Sequence, residues 1–436
     1  MLAQELIRHQ LDTLPRDYRG GFLRLCAPLE TGSFLEWISA QALYPRIYWR
    51  ARSSDGPEYL ALGSIHELAS AEEIRRVCTR VRSHPDEGPR YYGGLAFDPC
   101  QAGREGFGPC RFILPRIELV RRGGHTTLCL NLWLPERHQD AERQAAAAAL
   151  MDLREPQPLP PLSRQQWWRH DSPGPDQWRS LVETVTAPHF QAHTPKVVLS
   201  RESRLTMSEP VSPWQMLARW ADSAPDCFHF GFQFVPEQAF IACSPERLYR
   251  REGRHLFTEA LAGTIRRSGD EAADAALADE LLADGKNRLE NRFVHTDILD
   301  RLAPLAASTS LGEPRILKLR LLQHLKRDIE AQLRPGVCDW QLLNALHPTP
   351  AVGGAPREAA LDFIRRHEPH KRGWYAGACG MLSGASAEFA VAIRSAHVTP
   401  QTVSLYAGAG IVAGSEPSAE WAELDHKIAN VLSLLA

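Results

Sequence analysis

The chain has 436 residues, 44% hydrophobic and 23% charged, and its 50 basic and 52 acidic side chains leave a formal net charge of −2. That balance excludes wholesale disorder and allows a large buried core. With no field of one sign to attract a polyanion, neither nucleic acid nor an anionic membrane is expected as a partner.

The chain opens on a short amphipathic helical stretch without the basic and apolar regions of a signal peptide. No run approaches the roughly 18 uninterrupted apolar residues that span a bilayer. The cysteines, at 26, 78, 100, 110, 129, 227, 243, 338 and 379, are odd in number and contain no CxxC pair. Reduced thiols fit that spacing better than a disulfide framework or a zinc site, so a cytoplasmic protein is expected.

Short apolar or alternating runs at 46–51, 59–62, 112–114 and 126–132 predict strands. An alanine-rich helix over 139–153 follows. The next segment, EPQPLPPLSRQQWWRHDSPGP at 155–175, is too rich in proline to continue a helix or a central strand. The chain therefore divides into an N-terminal lobe (1–154), a proline-rich linker (155–177) and a C-terminal region (178–436). Beyond the linker, strands are expected at 196–199, 228–234, 239–242, 389–393 and 403–406, and helices at 270–282, 289–301, 355–366 and 420–434. No repeat at solenoid periods is present. Strands outnumber clear βαβ alternations, so the fold class is α+β and not a doubly wound sheet. The basic run at 201–204 and the cluster Arg365, Arg366, Lys371 and Arg372 read as solvated faces.

Five features could carry chemistry. The run YAGAGIVAG at 406–414 spaces its glycines as GxGxxxG, which fails the dinucleotide fingerprint. It reads as a tight strand-to-helix turn or as a turn offering backbone N–H groups to an anion. Glu420, Glu423 and Lys427 stand at i, i+3 and i+7, on one helical face. A second helix carries Lys286 and Glu290 at i, i+4, with Asn287 and Asp297 on the same side. Each set alone is ordinarily a solvated face; converging, the two would suit a hard dication such as Mg²⁺. Lys196 begins the apolar strand KVVLS, where desolvation would depress its pKa as a general base requires, unless it snorkels to the surface. Glu246 follows a second apolar strand and is a candidate acid, or a partner for Arg247 or Arg250.

Taken in order, PKVVLSR (195–201), SPERL (244–248), TEALAGT (258–264), DGKNRLEN (284–291) and QHLKR (323–327) resemble the chorismate-utilising enzymes. The resemblance continues through LHPTPAVGGAP (346–356), HEPHKRGWYAGACG (367–380), AIRSA (392–396) and YAGAGIVAGSEPSAEWAELDHK (406–427). It is weaker in the N-terminal lobe, at YYGGLAFDP (91–99) and FILPR (112–116). The family includes isochorismate synthases, salicylate synthases, anthranilate synthase component I and aminodeoxychorismate synthases. It implies one large α+β domain in which two β-rich lobes pack together with helices outside.

The resemblance also implies roles. Lys196 would activate water for attack at C2 of chorismate, and Glu246 would protonate the departing C4 hydroxyl. Glu290 and Glu423 would hold Mg²⁺, supported by Glu420. Arg394, Tyr406 and the Gly410 amide would grip the enolpyruvyl carboxylate, with Lys427 beside them. Gly263 and Thr264 would line the site, and His324 and His347 would lie near the ring without a proton-transfer role.

Ammonia-using members carry glutamine where this chain has Lys196. The aminodeoxychorismate branch places a lysine nucleophile where this chain has Ala262. The resemblance therefore implies a water-using isochorismate synthase, of menaquinone type by TEALAGT, QHLKR and HEPHKRGWYAG. A salicylate synthase or a siderophore-type enzyme is the alternative, and a non-catalytic chorismate-binding relative the remote one. No glutamine amidotransferase subunit is expected, and the oligomeric state is left open.

Overall fold

Alternation along the strands sorts side chains onto two faces, and two antiparallel sheets stack on the faces that carry the aromatics. The computed structural model describes residues 2–15, 18, 21–53, 55–81, 88–101, 106–136, 139–319 and 322–435. The strand Phe228–Val235 reads FHFGFQFV and turns Phe228, Phe230, Phe232 and Phe234 to one side. These pack with Trp49 and Tyr59 of their own sheet and with Tyr92, Ile113 and Met381 of the other. Trp374 sits among them, its ring 5.2 Å from Phe107, 5.4 Å from Phe232 and 5.7 Å from Phe234, edge-on in each case. The α+β expectation holds.

Both sheets take strands from either side of the proline-rich segment. In the first, Arg46–Arg50 pairs with Phe228–Val235; in the second, Tyr91–Leu95 pairs with Ala378–Leu382. The prolines keep 153–166 irregular, but Trp167–Ser172 forms a strand along the outer half of Lys196–Met207. Residue 177 already lies inside the helix Pro175–Thr186.

Two connections pass from one sheet to the other. Gln238–Ser244 belongs to the first sheet and Arg247–Glu252 to the second, so the chain crosses at Pro245 and Glu246. Ser386–Val391 belongs to the second and Ser395–Val398 to the first, so it crosses back through Arg394. The crossovers are bonded to each other: Val391 N donates to Glu246 O at 3.0 Å, and Cys243 N donates to Arg394 O at 3.0 Å.

The four C-terminal helices lie near their expected places, at Glu271–Ala283, Gly285–Leu302, Arg357–His367 and Pro417–Leu435. The second starts earlier than its apolar pattern suggested, because the Asp284 side chain caps it by accepting from Asn287 N at 2.7 Å. Asp297, two turns beyond Glu290, accepts from Arg301 Nε at 2.9 Å.

Two expectations are corrected. The glycine run is strand for most of its length: Thr402–Ile411 pairs with Lys196–Met207, placing Gly410 opposite Val198 and Gly408 opposite Ser200. The chain turns only after Ile411. The two basic clusters are not uniformly solvated. Arg201 is fully buried, its Nη2 2.7 Å from Asp425 and its guanidinium 4.2 Å over the Trp421 ring. Arg372 is buried against Glu368 and the carbonyls of Val198 and Val352. Burial is offset at Arg201 by the carboxylate of Asp425 and the face of Trp421, and at Arg372 by Glu368 and two backbone carbonyls. Arg366 and Arg204 do reach solvent. Among the described residues no helix is long and apolar enough to cross a membrane.

Candidate active site

The crossovers, the Lys196 and Thr402 strands, the helix Gly285–Leu302 and the terminal helix enclose a cavity of about 1010 Å³ with its open mouth, the size of a small-molecule site. Its walls include Glu246, Gly263, Thr264, Glu290, His324, Arg394, Tyr406, Gly410, Glu420, Glu423 and Lys427. Eleven side chains or backbones singled out in the sequence thus meet in one place. Lys196 adjoins them from behind Glu290. His347 is the exception: its Nε2 lies 3.1 Å from Ala96 O, turned to the N-terminal lobe and off the cavity wall.

Lys196 is 0% exposed, and its Nζ stands 3.0 Å from Glu290 Oε1 in a contact of charges too bent for an aligned hydrogen bond. Gly410 makes that contact possible. A Cβ there would sit 2.5 Å from Glu290 Oε1 and 3.1 Å from Lys196 Cε. Gly408, two residues earlier, leaves room for the Tyr375 hydroxyl, which a Cβ would meet at 2.7 Å. Tyr375 stacks on Tyr406 at 5.0 Å and 13°. It lines the cavity and was not singled out in the sequence; its place in the WYAG motif was the available signal.

The terminal helix delivers the carboxylate face its spacing promised. Lys427 Nζ lies 2.5 Å from Glu423 and donates to Gly408 O at 2.8 Å, while Lys286 reaches Glu420 at 3.1 Å. Each of the three carboxylates on this side therefore has a lysine partner. Burial, and then the neighbouring Glu423, push the Glu420 carboxyl up. Burial also works to raise Glu423, but Lys427 and Lys286 outweigh it and hold that carboxyl below its usual range. Among the described residues no three metal-binding side chains already converge on a point. Still, Glu290, Glu420 and Glu423 line the cavity and offer hard oxygen donors to it. Mg²⁺ fits such a donor set.

Glu246 faces the cavity from the first crossover and is 3% exposed. Burial, then the nearby Glu259, push its carboxyl up to about 8, so it carries its proton at neutral pH. Arg394, on the second crossover, has φ 48°, a left-handed conformation unusual for a side chain of its size. Its Nη1 donates to Lys427 O at 3.1 Å, which aims the guanidinium along the cavity edge. Gly263 also needs a left-handed backbone, φ 92°, and a Cβ there would press on Asn287 at 3.1 Å. His324 Nδ1 is 3.0 Å from Thr264 Oγ1. Burial, then Arg394 and Lys427, drive its pKa down to about 3, so its imidazole is neutral. This suits a polar contact and not proton transfer.

Acid and ammonium groups, a guanidinium and three carboxylates around one cavity can bind a small dianion and add and remove water. Comparison with known proteins agrees. A profile described as "chorismate binding enzyme" matches residues 17–436. The chain is 37% identical to isochorismate synthase MenF of Escherichia coli over 440 residues, covering 99% of this chain and 97% of that protein. It is 35% identical to the salicylate biosynthesis isochorismate synthase of Pseudomonas aeruginosa, covering 92% of this chain and 87% of that protein. The solved structure of the menaquinone-specific E. coli enzyme superposes with a TM-score of 0.91 at 36% identity, covering 100% of this chain and 99% of that one.

Proposed function

The chain belongs to the chorismate binding enzyme family, and from that membership and the cavity we propose that it is an isochorismate synthase serving menaquinone biosynthesis. The observation that carries the reading is a buried lysine and a protonated glutamic acid flanking one cavity, in a chain that resembles such enzymes over its full length.

Lys196 takes a proton from water while the water oxygen bonds to C2 of chorismate. Both ring double bonds shift, from C1=C2 and C5=C6 to C1=C6 and C4=C5, the C4–O bond breaks, and Glu246 gives its proton to the departing hydroxyl, which leaves as water. Atoms balance: one water enters and one departs. General base and general acid each contribute roughly 10²–10⁴-fold in rate. Arg394, with Tyr406 and the Gly410 amide, holds the enolpyruvyl carboxylate, for which a planar guanidinium is suited. Thr264 and His324 face the ring as neutral hydrogen-bonding groups.

Glu290 and Glu423, with Glu420 in support, would hold Mg²⁺, which supplies positive charge to the ring carboxylate. Glu290 has two tasks in this reading, since it also holds Lys196 in the resting site. A lysine at position 196, where ammonia users carry glutamine, supports water as nucleophile, and no glutaminase partner is expected. Nine scattered cysteines without a CxxC pair suit reduced thiols and a cytoplasmic enzyme.

The test is product analysis by chromatography and mass spectrometry after incubation with chorismate and Mg²⁺. Isochorismate, lost on adding EDTA and regained with excess Mg²⁺, is expected. Salicylate with pyruvate would move the enzyme to the bifunctional branch, and no turnover would refute the reading.

A further inference from the structure

The turn that bears Glu246 is gripped from outside the cavity. Arg52 stands in the N-terminal lobe, just past the strand Arg46–Arg50 of the first sheet. Its Nη1 donates to Pro245 O at 2.5 Å, immediately before the acid. The same guanidinium forms a two-pronged pair with Glu259 of the second sheet, at 2.7 and 2.8 Å. Glu259 Oε1 also accepts from Arg247 N at 2.8 Å, immediately after the acid. Its other oxygen is 2.8 Å from Lys326 Nζ. Glu259 is 2% exposed and does not line the cavity, so it does not touch substrate.

Resting on the reading of Glu246 as the acid, we propose that Arg52 and Glu259 are positioning residues for it: one ion pair, its carboxylate buried and its guanidinium partly so, that fixes the crossover on both sides of the catalytic carboxyl. A purely structural pair would need neither the bond to Pro245 O nor the one from Arg247 N. The arrangement also sets the field at the acid. The charged groups that face Glu246 are Glu259 from the second sheet, Lys196 from the strand beside the cavity and Arg52 from the N-terminal lobe. Glu259 favours its protonated form, and Lys196 and Arg52 oppose it. Glu259 itself stays ionised: burial works to raise it, but Arg52, Lys326 and Arg247 bring it down to about 2.

The experiment is the pH dependence of kcat at saturating chorismate and Mg²⁺, for wild type, Glu259→Gln, Arg52→Gln and Glu246→Gln. Loss of the Glu246 proton sets the alkaline limb. Glu259→Gln should lower kcat at least tenfold and move that limb to lower pH by about one unit, the low end for removing a nearby charge. Arg52→Gln should lower kcat similarly without moving the limb down. Damage to folding alone would not shift the limb in a direction set by the sign of the lost charge. Should Glu259→Gln fail to fold, Arg52→Lys keeps the charge and loses the fork and the Pro245 bond; it should cut kcat and leave KM within a few-fold. Glu246→Gln separates the two claims. If it stays active, the acid assignment fails; if it is dead while the Arg52 and Glu259 variants keep wild-type kcat and pH profile, the positioning proposal alone falls.

Discussion

Gly410→Ala tests whether the Lys196–Glu290 contact is part of the machinery. The added methyl would lie 2.5 Å from Glu290 Oε1, where ordinary contact begins near 3.4 Å. The strand cannot retreat, because Gly410 is paired with Val198. The carboxylate, the free end of a side chain, must therefore move by about 0.9 Å from its place beside Lys196. Overpacking costs about 1–3 kcal/mol, and a mobile carboxylate places this case at the low end. A displacement near 1 Å in a catalytic constellation costs about 10²-fold, equivalent to about 2.7 kcal/mol of barrier. The expected variant is folded, with kcat down about 10²-fold and a higher Mg²⁺ requirement. Isochorismate formation by chromatography, a Mg²⁺ titration and a thermal melt read the three quantities. Gly269→Ala, where a Cβ meets nothing within 4 Å, is the control. Turnover within about threefold of wild type at unchanged Mg²⁺ dependence would refute the reasoning.

Lys196→Ala should lose about 10²–10⁴-fold in turnover yet still bind chorismate with Mg²⁺ in calorimetry, and Lys196→Gln should add water no better; near-normal turnover by either removes the base assignment. Because Glu246 must donate a proton and its carboxyl titrates at about 8, kcat should fall as pH rises through that value. The same group lies above its ordinary 4.5, so it binds a proton on folding, and its cost to stability grows between pH 4.5 and 8. Glu246→Gln should consequently be inactive yet gain stability over wild type more at pH 9 than at pH 5, and equal melts at both would contradict the assigned shift. Arg251 and Asp339, 1% and 2% exposed and joined at 2.7 and 2.8 Å, lie away from the cavity. Asp339→Ala strands a buried guanidinium and should lower stability by about 3–5 kcal/mol in urea titration, with kcat unchanged at 25 °C.

The C-terminal half was legible because its elements carry both pattern and motif. The face made by Glu420, Glu423 and Lys427 follows from helical spacing, and Glu246 from its place after an apolar strand. What could not be read was long-range pairing. The GAG run looked like a turn because glycine disfavours strands, but packing against Glu290 and Tyr375 demands small residues there. Arg201 looked solvated because nothing local announces Asp425 or Trp421, more than 200 residues away. The helices Phe34–Ala40, Ala71–Val81 and Pro213–Ser223 were overlooked among short apolar runs. Arg52 passed without notice for the same reason: its partners are strands of the other lobe.

The aromatic layer between the sheets has a consequence for engineering. Glu246 and Arg394 ride on the two strips of chain that leave one sheet for the other, so the spacing between the sheets bears on how each strip holds its side chain. Under the proposed roles, Trp374 and the phenylalanines around it would bear on the reaction as well as ballast the fold. A designer who seeks heat resistance by enlarging that layer would be retuning catalysis at the same time. The safer ground is the outer surface, under the helices Leu2–Asp12 and Asp140–Met151, where side chains support the sheet without separating the acid from the guanidinium.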